Sequence, residues 1–272
     1  MPSKAGRNSR MSTPRLYNTE GLVLRSYPLG ETDRIITVFT KTAGKLRVAA
    51  RGLRKPNSKL AGHLEPLTCT NLTVSRGRTL DVVTGAESRE SFYFIKTDLP
   101  RLSSAIYLTE LVDTINPLES PNPYGYSIYL KGLCALEEES SNVQLILHYM
   151  EMHLLIQAGY SPELHQCTEC QGKIVEGNHY FDPSHGGVIC KACINHQTNF
   201  RPVSIGALKV LRFFAKSTLK DSLLLKITQP LQFELRSLMD AYIRYTLDRE
   251  MLSKAFVRSV SKLEGTVHVP TT

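Results

Sequence analysis

The residues best suited to chemistry are four cysteines in two Cys-x2-Cys pairs, Cys167 with Cys170 and Cys190 with Cys193, with nineteen residues between the pairs. Each pair can offer two thiolates to one metal ion from a tight turn, and four thiolates complete a tetrahedral zinc shell. The alternative is four thiols that cluster without a metal. We predict one structural Zn2+ ion, because two such pairs at this separation seldom arise by chance. Four protein sulfurs leave no open position for water, so the ion is expected to stabilise the fold and not to catalyse a reaction.

Other catalytic arrangements are missing from the sequence. The histidines of residues 148–153 lack the His-Glu-x2-His spacing, and neither a Gly-x4-Gly-Lys phosphate loop nor a Gly-x-Gly-x2-Gly turn occurs. No His-x-Glu accompanies the cysteines, as a zinc deaminase would need. His165, His179, His185 and His196 flank the cysteine segment, and each could replace a thiolate. We therefore expect a protein that is not an enzyme. A zinc hydrolase, the least favoured class, would need an open metal position and a general base.

Positive charge is concentrated near the N-terminus. The net charge is +8, but residues 1–80 hold fifteen Lys or Arg against four Asp or Glu, a net of +11, so the remaining residues sum to −3. The stretch 41–59 has seven cations and no carboxylate. Cations at strand spacing followed by an exposed, mobile basic loop can follow a phosphate backbone. The predicted nucleic-acid contacts are Lys45, Arg47, Arg51, Arg54, Lys55 and Lys59, with Arg34, Arg76 and Arg78 as weaker candidates.

Two other interpretations of this basic surface stay open. It could be an ordinary solvated face, or it could bind an anionic membrane surface or an acidic peptide. No run of about eighteen apolar residues occurs, so no membrane span is expected. Tyr17, Tyr27 and Phe39 are the only aromatic residues before residue 90. Binding is therefore expected to go mainly through phosphates, with strong salt dependence, weak sequence preference and free base edges.

The elements that position the basic residues are five short strands, predicted near residues 21–27, 34–40, 45–51, 66–76 and 79–87. The third alternates clearly, with its basic residues on one side and Leu46, Val48 and Ala50 on the other. Five short strands with one basic face are typical of a small closed sheet. The OB barrel is the simplest candidate, and an SH3-like barrel fits nearly as well.

Beyond residue 100 the apolar spacing becomes helical. Helices are predicted up to Asn116, near 124–136, over 143–157 as a central buried helix, after an N-cap at Ser204, and near 231–242. The cysteine segment interrupts this bundle, with short strands predicted at 173–175, 179–181 and 188–189. The predicted fold is therefore α+β. Its parts are a flexible basic arm (1–15), an OB-fold nucleic-acid-binding domain (16–95), a helical domain (96–160), a four-cysteine zinc module (161–200), the rest of the helical domain (201–252) and a flexible tail (253–272).

Several stretches in the expected order resemble the bacterial recombination mediator family RecO. They cover roughly residues 17–250, so the resemblance is not a single-motif match. The matching stretches are 30–40 (GETDRIITVFT), 50–58 (ARGLRKPNS), 108–113 (LTELVD), 152–162 (MHLLIQAGYSP) and 181–193 (FDPSHGGVICKAC). One departure is Gln171, because zinc knuckles often have Gly directly after the second cysteine. Here the glycine comes one residue later, at Gly172.

The resemblance implies an OB domain, a helical domain and a zinc finger set within it. It also implies a protein that binds single- and double-stranded DNA, anneals complementary strands and cooperates with RecR to load RecA onto gaps covered by single-strand-binding protein. A bacterial cytoplasmic, nucleoid-associated location would follow. The main alternative is an RNA- or ribosome-associated OB-fold and zinc-ribbon protein, because phosphate-led binding does not require a particular sugar.

A protein partner would need a different surface. The acidic C-terminal tail of single-strand-binding protein requires a local basic groove with an apolar pocket. Lys209, Arg212 and Lys216, on one face of a predicted helix beside Phe213 or Phe214, offer such a groove. A solvated face is an equal alternative there.

Overall fold

The computed structural model describes residues 15–177, 179–194 and 200–267, so the predicted basic arm lies outside it apart from Arg15. The first domain is a closed barrel with the strand order β1-β2-β3-β5-β4, in which β3 and β5 run parallel and the other neighbours antiparallel. This order confirms the predicted OB-fold. Its strands are β1 (Leu16–Leu29), β2 (Asp33–Thr40), β3 (Gly44–Ala50), β4 (Cys69–Ser75) and β5 (Asp81–Glu90).

Strand β1 is longer than the sequence pattern indicated, because it pairs with two neighbouring strands. Its first half pairs with β4, beginning at Leu16 opposite Ser75, and its second half pairs with β2. Gly21 belongs to both pairings, and a Cβ there would lie 2.3 Å from a methyl carbon of Val38. Only glycine allows β2 to approach so closely.

The barrel core is formed by one side of each strand. The inward residues are Ile36 and Val38 in β2 and Val48 and Ala50 in β3, where the alternation predicted them. Residues between them face outward, and paired residues of neighbouring strands share a face. The outer face of β1, β2 and β3 is therefore a second surface with its own partners.

The helical domain covers one end of this outer face. Leu22, Leu24 and Phe39 are buried among helical side chains, and the Phe39 ring meets the Tyr126 ring edge-on at 5.9 Å. The barrel and the bundle consequently share a hydrophobic core. The other end of the same face stays open to solvent.

The helical domain contains all five predicted helices together with three that the pattern missed. Ser204 is an N-cap as predicted, since its hydroxyl accepts from the Ala207 N–H at 3.0 Å. The helices are α1 (Tyr93–Thr97), α2 (Leu99–Ile115), α3 (Pro123–Glu137), α4 (Val143–Gln157), α5 (Ile205–Lys216), α6 (Leu219–Ser222), α7 (Gln229–Thr246) and α8 (Leu252–Val267). Helix α4 is central, since it contacts α2, α3, α5 and α7. Among the described residues, no helix is both long and apolar enough to cross a membrane.

The cysteine module lies between α4 and α5 and carries a three-stranded sheet of order β7-β6-β8. The strands are β6 (His179–Asp182), β7 (Gly187–Cys190) and β8 (Arg201–Val203). The predicted strand at 173–175 is wrong, because only an isolated bridge joins Lys173 to Gln166. Strand β8 follows the predicted end of the module and leads directly into α5, so the sheet ties the module to the bundle.

The prediction of a flexible tail from residue 253 is wrong for the described part, because α8 packs against α2. Val257 and Val260 are buried. The Glu110 carboxylate of α2 accepts from the N–H groups of Leu252 at 3.0 Å and Ser253 at 2.8 Å, which caps α8 from another helix. A cap supplied from more than a hundred residues away leaves no local signal in the sequence.

A buried ion network fixes α8 to three other helices. The Lys254 ammonium contacts Glu151 of α4 at 2.8 Å, the Tyr107 hydroxyl of α2 at 2.9 Å and Asp240 of α7. Burial alone would raise the pKa of Glu151, but Lys254 and His148 outweigh it and lower the pKa from 4.5 to about 2. Because the folded pKa is depressed, this group stabilises the fold above about pH 4.5, and the contribution is lost as pH falls through about 2.

Replacing Lys254 with Ala leaves the Glu151 carboxylate buried without its cation, and we expect the free energy of unfolding at pH 7 to fall by about 3–5 kcal/mol. Burial then favours the protonated carboxyl, so the difference from wild type should narrow as pH falls towards about 4. Urea unfolding at several pH values measures both effects. Lys209→Ala removes an exposed lysine and should change stability by less than about 0.5 kcal/mol. Equal losses in the two variants would contradict the network's role.

Candidate nucleic-acid interface and metal centre

The basic loop after β3 is held in place by backbone contacts to the β1–β2 hairpin. The Gly52 N–H donates to Asp33 Oδ1 at 2.8 Å, and the Arg54 N–H donates to the Thr32 carbonyl at 2.9 Å. Leu53 inserts into the barrel core. The loop is thus exposed, as predicted, and it is also fixed at defined points. The Gly52 N–H holds the pKa of Asp33 below its usual value, with the Arg51 and Lys55 charges as smaller causes.

The loop presents its cations to solvent. Within the described residues, no ion pair joins them to a carboxylate. The exposed loop cations are Arg51, Arg54, Lys55 and Lys59. Such unpaired charges are available to an external polyanion at no cost of breaking internal contacts.

Arg47 extends this surface onto β3, whereas Arg34 does not. Arg47 is exposed, and it lies on the outer face opposite Thr37 of β2. Arg34 is on the inward-facing row with Ile36, at the mouth of the barrel, and its guanidinium donates to the Ser26 carbonyl at 3.3 Å. Arg34, a weaker predicted phosphate contact, therefore lies apart from the exposed basic surface.

Lys45 also differs from the sequence prediction. Its side chain is only 11% exposed, and its ammonium lies 2.9 Å from the Asp113 carboxylate of α2. It belongs to the contact between barrel and bundle and not to the free basic surface. Strand periodicity placed Lys45 correctly on the outer face, but it could not show that helices cover that end of the face.

Arg76 and Arg78 lie in the loop between β4 and β5, and both are exposed. The Arg76 guanidinium stacks over the Tyr17 ring at 5.0 Å from its centroid. Asp81 organises this loop, since it accepts from the Tyr17 hydroxyl at 2.7 Å and the Gly77 N–H at 3.0 Å. Burial and the Asp81 contact raise the pKa of Tyr17. The β4–β5 loop is one of the positions where OB barrels bind oligonucleotides.

The four cysteines converge on one point, as their spacing predicted. Their sulfur atoms all lie within 4.8 Å of one another, and Cys170 Sγ is 3.9 Å from Cys190 Sγ. A tetrahedral shell with Zn–S bonds of about 2.3 Å has sulfur–sulfur edges of about 3.8 Å. The four side chains therefore fit a metal ion of this size, and the cluster can hold one.

Backbone N–H groups prepare the cluster for thiolates. Burial opposes ionisation of the Cys167 thiol, but N–H groups of Cys190, Cys170 and Glu169 outweigh it and lower its pKa to about 6. The Cys190 N–H lies 3.4 Å from Cys167 Sγ. Hydrogen bonds with Cys190 and Cys170 raise the pKa of Cys193, with the Cys167 charge as a smaller cause, whereas a bound cation would favour its thiolate.

None of the described histidines joins the sulfur cluster. His179 Nε2 lies 2.7 Å from the Val175 carbonyl. His185 Nδ1 contacts the buried Asp182 carboxylate at 2.7 Å, and that carboxylate raises the pKa of His185. His165 is not part of the metal-binding group either, and His196 lies outside the described residues. Four cysteine ligands are therefore favoured over a set in which a histidine replaces one of the cysteines.

The turn of the first Cys-x2-Cys pair lacks the usual glycine and closes with a strained backbone at Gln171. Gln171 adopts φ +58°, in the left-handed region that glycine usually occupies at this position. The turn still closes, because the Gln171 N–H donates to the Cys167 carbonyl at 2.9 Å and the Cys167 N–H to the Gly172 carbonyl at 2.8 Å. Gln171 in place of glycine therefore raises the conformational free energy of the turn but leaves its hydrogen bonds intact.

One of the three cations predicted for the partner groove on α5, Arg212, is used in an internal contact. The Arg212 guanidinium donates to the Leu164 carbonyl at 2.9 and 2.6 Å, so it braces the cysteine module against α5. Phe214 is fully buried, whereas Phe213 is 39% exposed. Lys209 and Lys216 remain exposed on either side of Phe213.

Sequence reasoning missed two residues of the outer barrel face. Arg25 of β1 pairs with Asp113 at 2.9 Å, and Tyr27 of the same strand is 46% exposed. A β-bulge between Val23 and Arg25 shifts the alternation, so the simple period from Gly21 assigns both to the wrong face. If the alternation is counted only from Arg25 onwards, after the bulge, it places both side chains on the outer face.

Together these features define a class of protein: an OB barrel with an exposed basic surface, joined to a helical bundle that carries a four-cysteine metal module. Two family models match the chain, "Recombination protein O N terminal" over residues 11–92 and "Recombination protein O C terminal" over residues 96–255. The chain belongs to the recombination protein O (RecO) family.

Curated relatives cover nearly the whole chain. A DNA repair protein RecO from Dehalococcoides mccartyi is 34% identical over 252 residues, which are 93% of this chain and 99% of that protein. One from a Roseiflexus species is 37% identical over 249 residues, covering 92% and 87%. One from Desulforamulus reducens is 33% identical over 248 residues, covering 91% and 96%. These relatives are bacterial proteins.

We predict that the purified protein carries one zinc ion per chain, measured by elemental mass spectrometry. Cys170→Ser should lose the ion, while Cys134→Ser, at an exposed cysteine outside the cluster, should keep it. Because the small module has little core of its own, chelation should raise amide hydrogen exchange first within residues 163–193 and leave the barrel protected. Exchange that rises uniformly across the chain, or a metal-free wild type, would contradict this prediction.

Proposed function

We propose that this protein is a non-enzymatic DNA repair and recombination mediator. It binds single- and double-stranded DNA on the basic surface of the barrel and anneals complementary strands. With RecR it helps to load RecA onto DNA covered by single-strand-binding protein, at gaps in the bacterial nucleoid. The observation that carries the proposal is the exposed, unpaired cation cluster on an OB barrel in a chain of the RecO family.

The DNA-binding part of the proposal is supported by the placement of the cations. Arg47, Arg51, Arg54, Lys55 and Lys59 form a continuous stretch from β3 into the anchored loop. OB barrels bind oligonucleotides on the β2–β3 face and on the β1–β2 and β4–β5 loops, and the basic loop is anchored to the β1–β2 hairpin. Side chains that only neutralise phosphates give affinity without sequence readout. Both DNA forms carry the same phosphates, so both are expected to bind.

Annealing is a consequence of this mode of contact. A surface that holds two backbones by their phosphates lowers the repulsion between the strands. Base edges that the protein leaves free can then pair. The proposal therefore needs no bond-making residue, in keeping with a metal cluster whose four sulfurs leave no open position.

The metal is proposed to be Zn2+ with a structural role. Thiolate ligands in a tetrahedral arrangement select zinc over harder cations. The cluster fixes the turn after α4 to the end of β7, and thereby holds the module in contact with α5 through Arg212. The proposed task of the module is to brace the helical domain.

Titration of labelled single-stranded DNA against salt tests the proposed DNA contacts. The triple change Arg51→Ala, Arg54→Ala and Lys55→Ala should weaken binding at least tenfold at about 0.1 M salt. It should also flatten the slope of log K against log salt by about 0.7 for each phosphate that the variant no longer neutralises. Fluorescence anisotropy measures both quantities. The physical reason is that fewer counterions are released from the DNA when fewer cations bind it.

Lys45→Ala is the matched control for this titration. It removes a cation from the same face, but one already paired with Asp113. It should lower thermal stability and leave the salt slope unchanged. A flattened slope in Lys45→Ala, or binding of wild type that is insensitive to salt, would contradict the proposed surface. A parallel titration with RNA of the same sequence distinguishes DNA repair from the RNA-associated alternative, which requires tighter binding to RNA.

The acidic tail of single-strand-binding protein is proposed to dock on α5, between Lys209 and Lys216 and against Phe213. A ring flanked by two ammonium groups is complementary to a peptide that combines carboxylates with apolar side chains. Phe213→Ala should weaken binding of the tail peptide about tenfold without changing DNA affinity. Calorimetric titration of the peptide measures this, and unchanged peptide binding would remove α5 from the proposal.

A further inference from the structure

Tyr27 occupies an open position on the outer face of the barrel. It pairs with Ile35 of β2, which in turn pairs with Ala49 of β3, so the three side chains form a row across the face. Tyr27 is 46% exposed, Ile35 is partly buried and Ala49 is nearly covered. The ring is therefore the raised end of a small apolar strip on a surface that is otherwise basic.

The ring is held in position and is not a freely rotating surface side chain. The Arg25 Nη1 group donates to the Tyr27 hydroxyl at 3.3 Å, and Arg25 Nε is paired with Asp113 of α2 at 2.9 Å. The edge of the ring is thus linked through Arg25 to the helical domain. A positioned aromatic ring loses less conformational entropy when a ligand stacks on it.

The charges around the ring have the sign that a nucleic acid requires. The neighbouring row across the face consists of Arg25, Thr37 and Arg47, with an arginine at each end. The basic loop begins at Arg51, directly after the end of β3. The hairpin carries two carboxylates: Asp33, which accepts from the Gly52 N–H, and Glu31, which is exposed at the turn. Arg47 and the basic loop can hold phosphates while the apolar strip remains for a base, and Arg25, paired with Asp113, positions the ring.

We propose that Tyr27 stacks against an unpaired base of single-stranded DNA, so that the barrel binds a single strand more tightly than a duplex. The inference rests on the proposed DNA binding and adds a residue that discriminates between strand states. A base in a duplex already has stacking neighbours on both faces and cannot offer a face to the ring. Stacking also leaves the pairing edge of the base free, so annealing is compatible with it.

Three DNA ligands of equal length separate this role from a purely electrostatic one: a single strand, a duplex and an abasic single strand that keeps its phosphates. Tyr27→Ala should bind the single strand roughly five- to a hundredfold more weakly and the duplex unchanged within about twofold. On the abasic strand, wild type and Tyr27→Ala should bind alike. Tyr27→Phe keeps the ring and should stay within about threefold of wild type on every ligand. Thermal unfolding of each variant verifies that the barrel is intact.

A tryptophan at this position reports stacking directly, because the chain contains no tryptophan of its own. The fluorescence of Tyr27→Trp should be quenched by the single strand and not by the abasic strand. Tyr93→Trp, at an exposed tyrosine on α1, is the control and should respond to neither.

Equal affinity of Tyr27→Ala and wild type for the single strand would overturn the inference, and so would an equal loss on single strand and duplex. In either case the weaker binding of the basic-loop variant would leave the proposed function standing. A wild type that binds neither ligand would overturn the proposed function itself.

Discussion

Asp113 is the polar contact on which the arrangement of the two domains depends. Its carboxylate receives both Arg25 of β1 and Lys45 of β3, each at 2.9 Å, and is only 19% exposed. Removal of this carboxylate would leave the nearly buried Lys45 ammonium without its counter-charge, which is a costly state. Beside it, Phe39 and Leu22 bury the apolar part of the same junction. One end of the barrel's outer face is thereby committed to the bundle.

The same junction decides which cations remain available. Lys45 and Arg47 lie two residues apart on one face of β3, yet the first is paired and covered while the second is exposed. The boundary of the helical domain passes between them. The open end of the face then continues into a loop whose backbone is anchored to the β1–β2 hairpin. The cation surface is consequently presented by a rigid scaffold, and such surfaces bind with little ordering cost.

The bundle is organised by polar contacts that are distant in sequence. Glu110 caps α8, Lys254 joins α8 to Glu151 and Tyr107, and Arg212 holds the cysteine module to α5. Each satisfies groups that would otherwise be buried without partners. The buried residues of the module, among them Phe181 and Val188, belong to the core of the bundle, so its place depends on this packing together with its sheet, Arg212 and the sulfur cluster. A metal ion held by the four cysteines is proposed to brace this arrangement.

Local patterns in the sequence predicted the elements well where one period dominated. The alternation in β3, the apolar helix at 143–157, the Ser204 cap and the cysteine spacing all correspond to observed structure. The failures came from contacts that no local pattern encodes. The cap of α8 is on α2, the partner of Lys45 is on α2, and a bulge shifts the alternation within β1. Periodicity gives the face of a residue, but only tertiary packing decides whether that face is covered.

The central proposal is that DNA binds the open half of the barrel's outer face and the anchored basic loop. Amide hydrogen exchange of the full chain, with and without a single-stranded oligonucleotide, tests this binding most directly. We predict protection within residues 25–35 and 45–59, a smaller effect at 76–81, and none along α5. Protection confined to the cysteine module or the helical domain, with the barrel unchanged, would contradict the proposed interface.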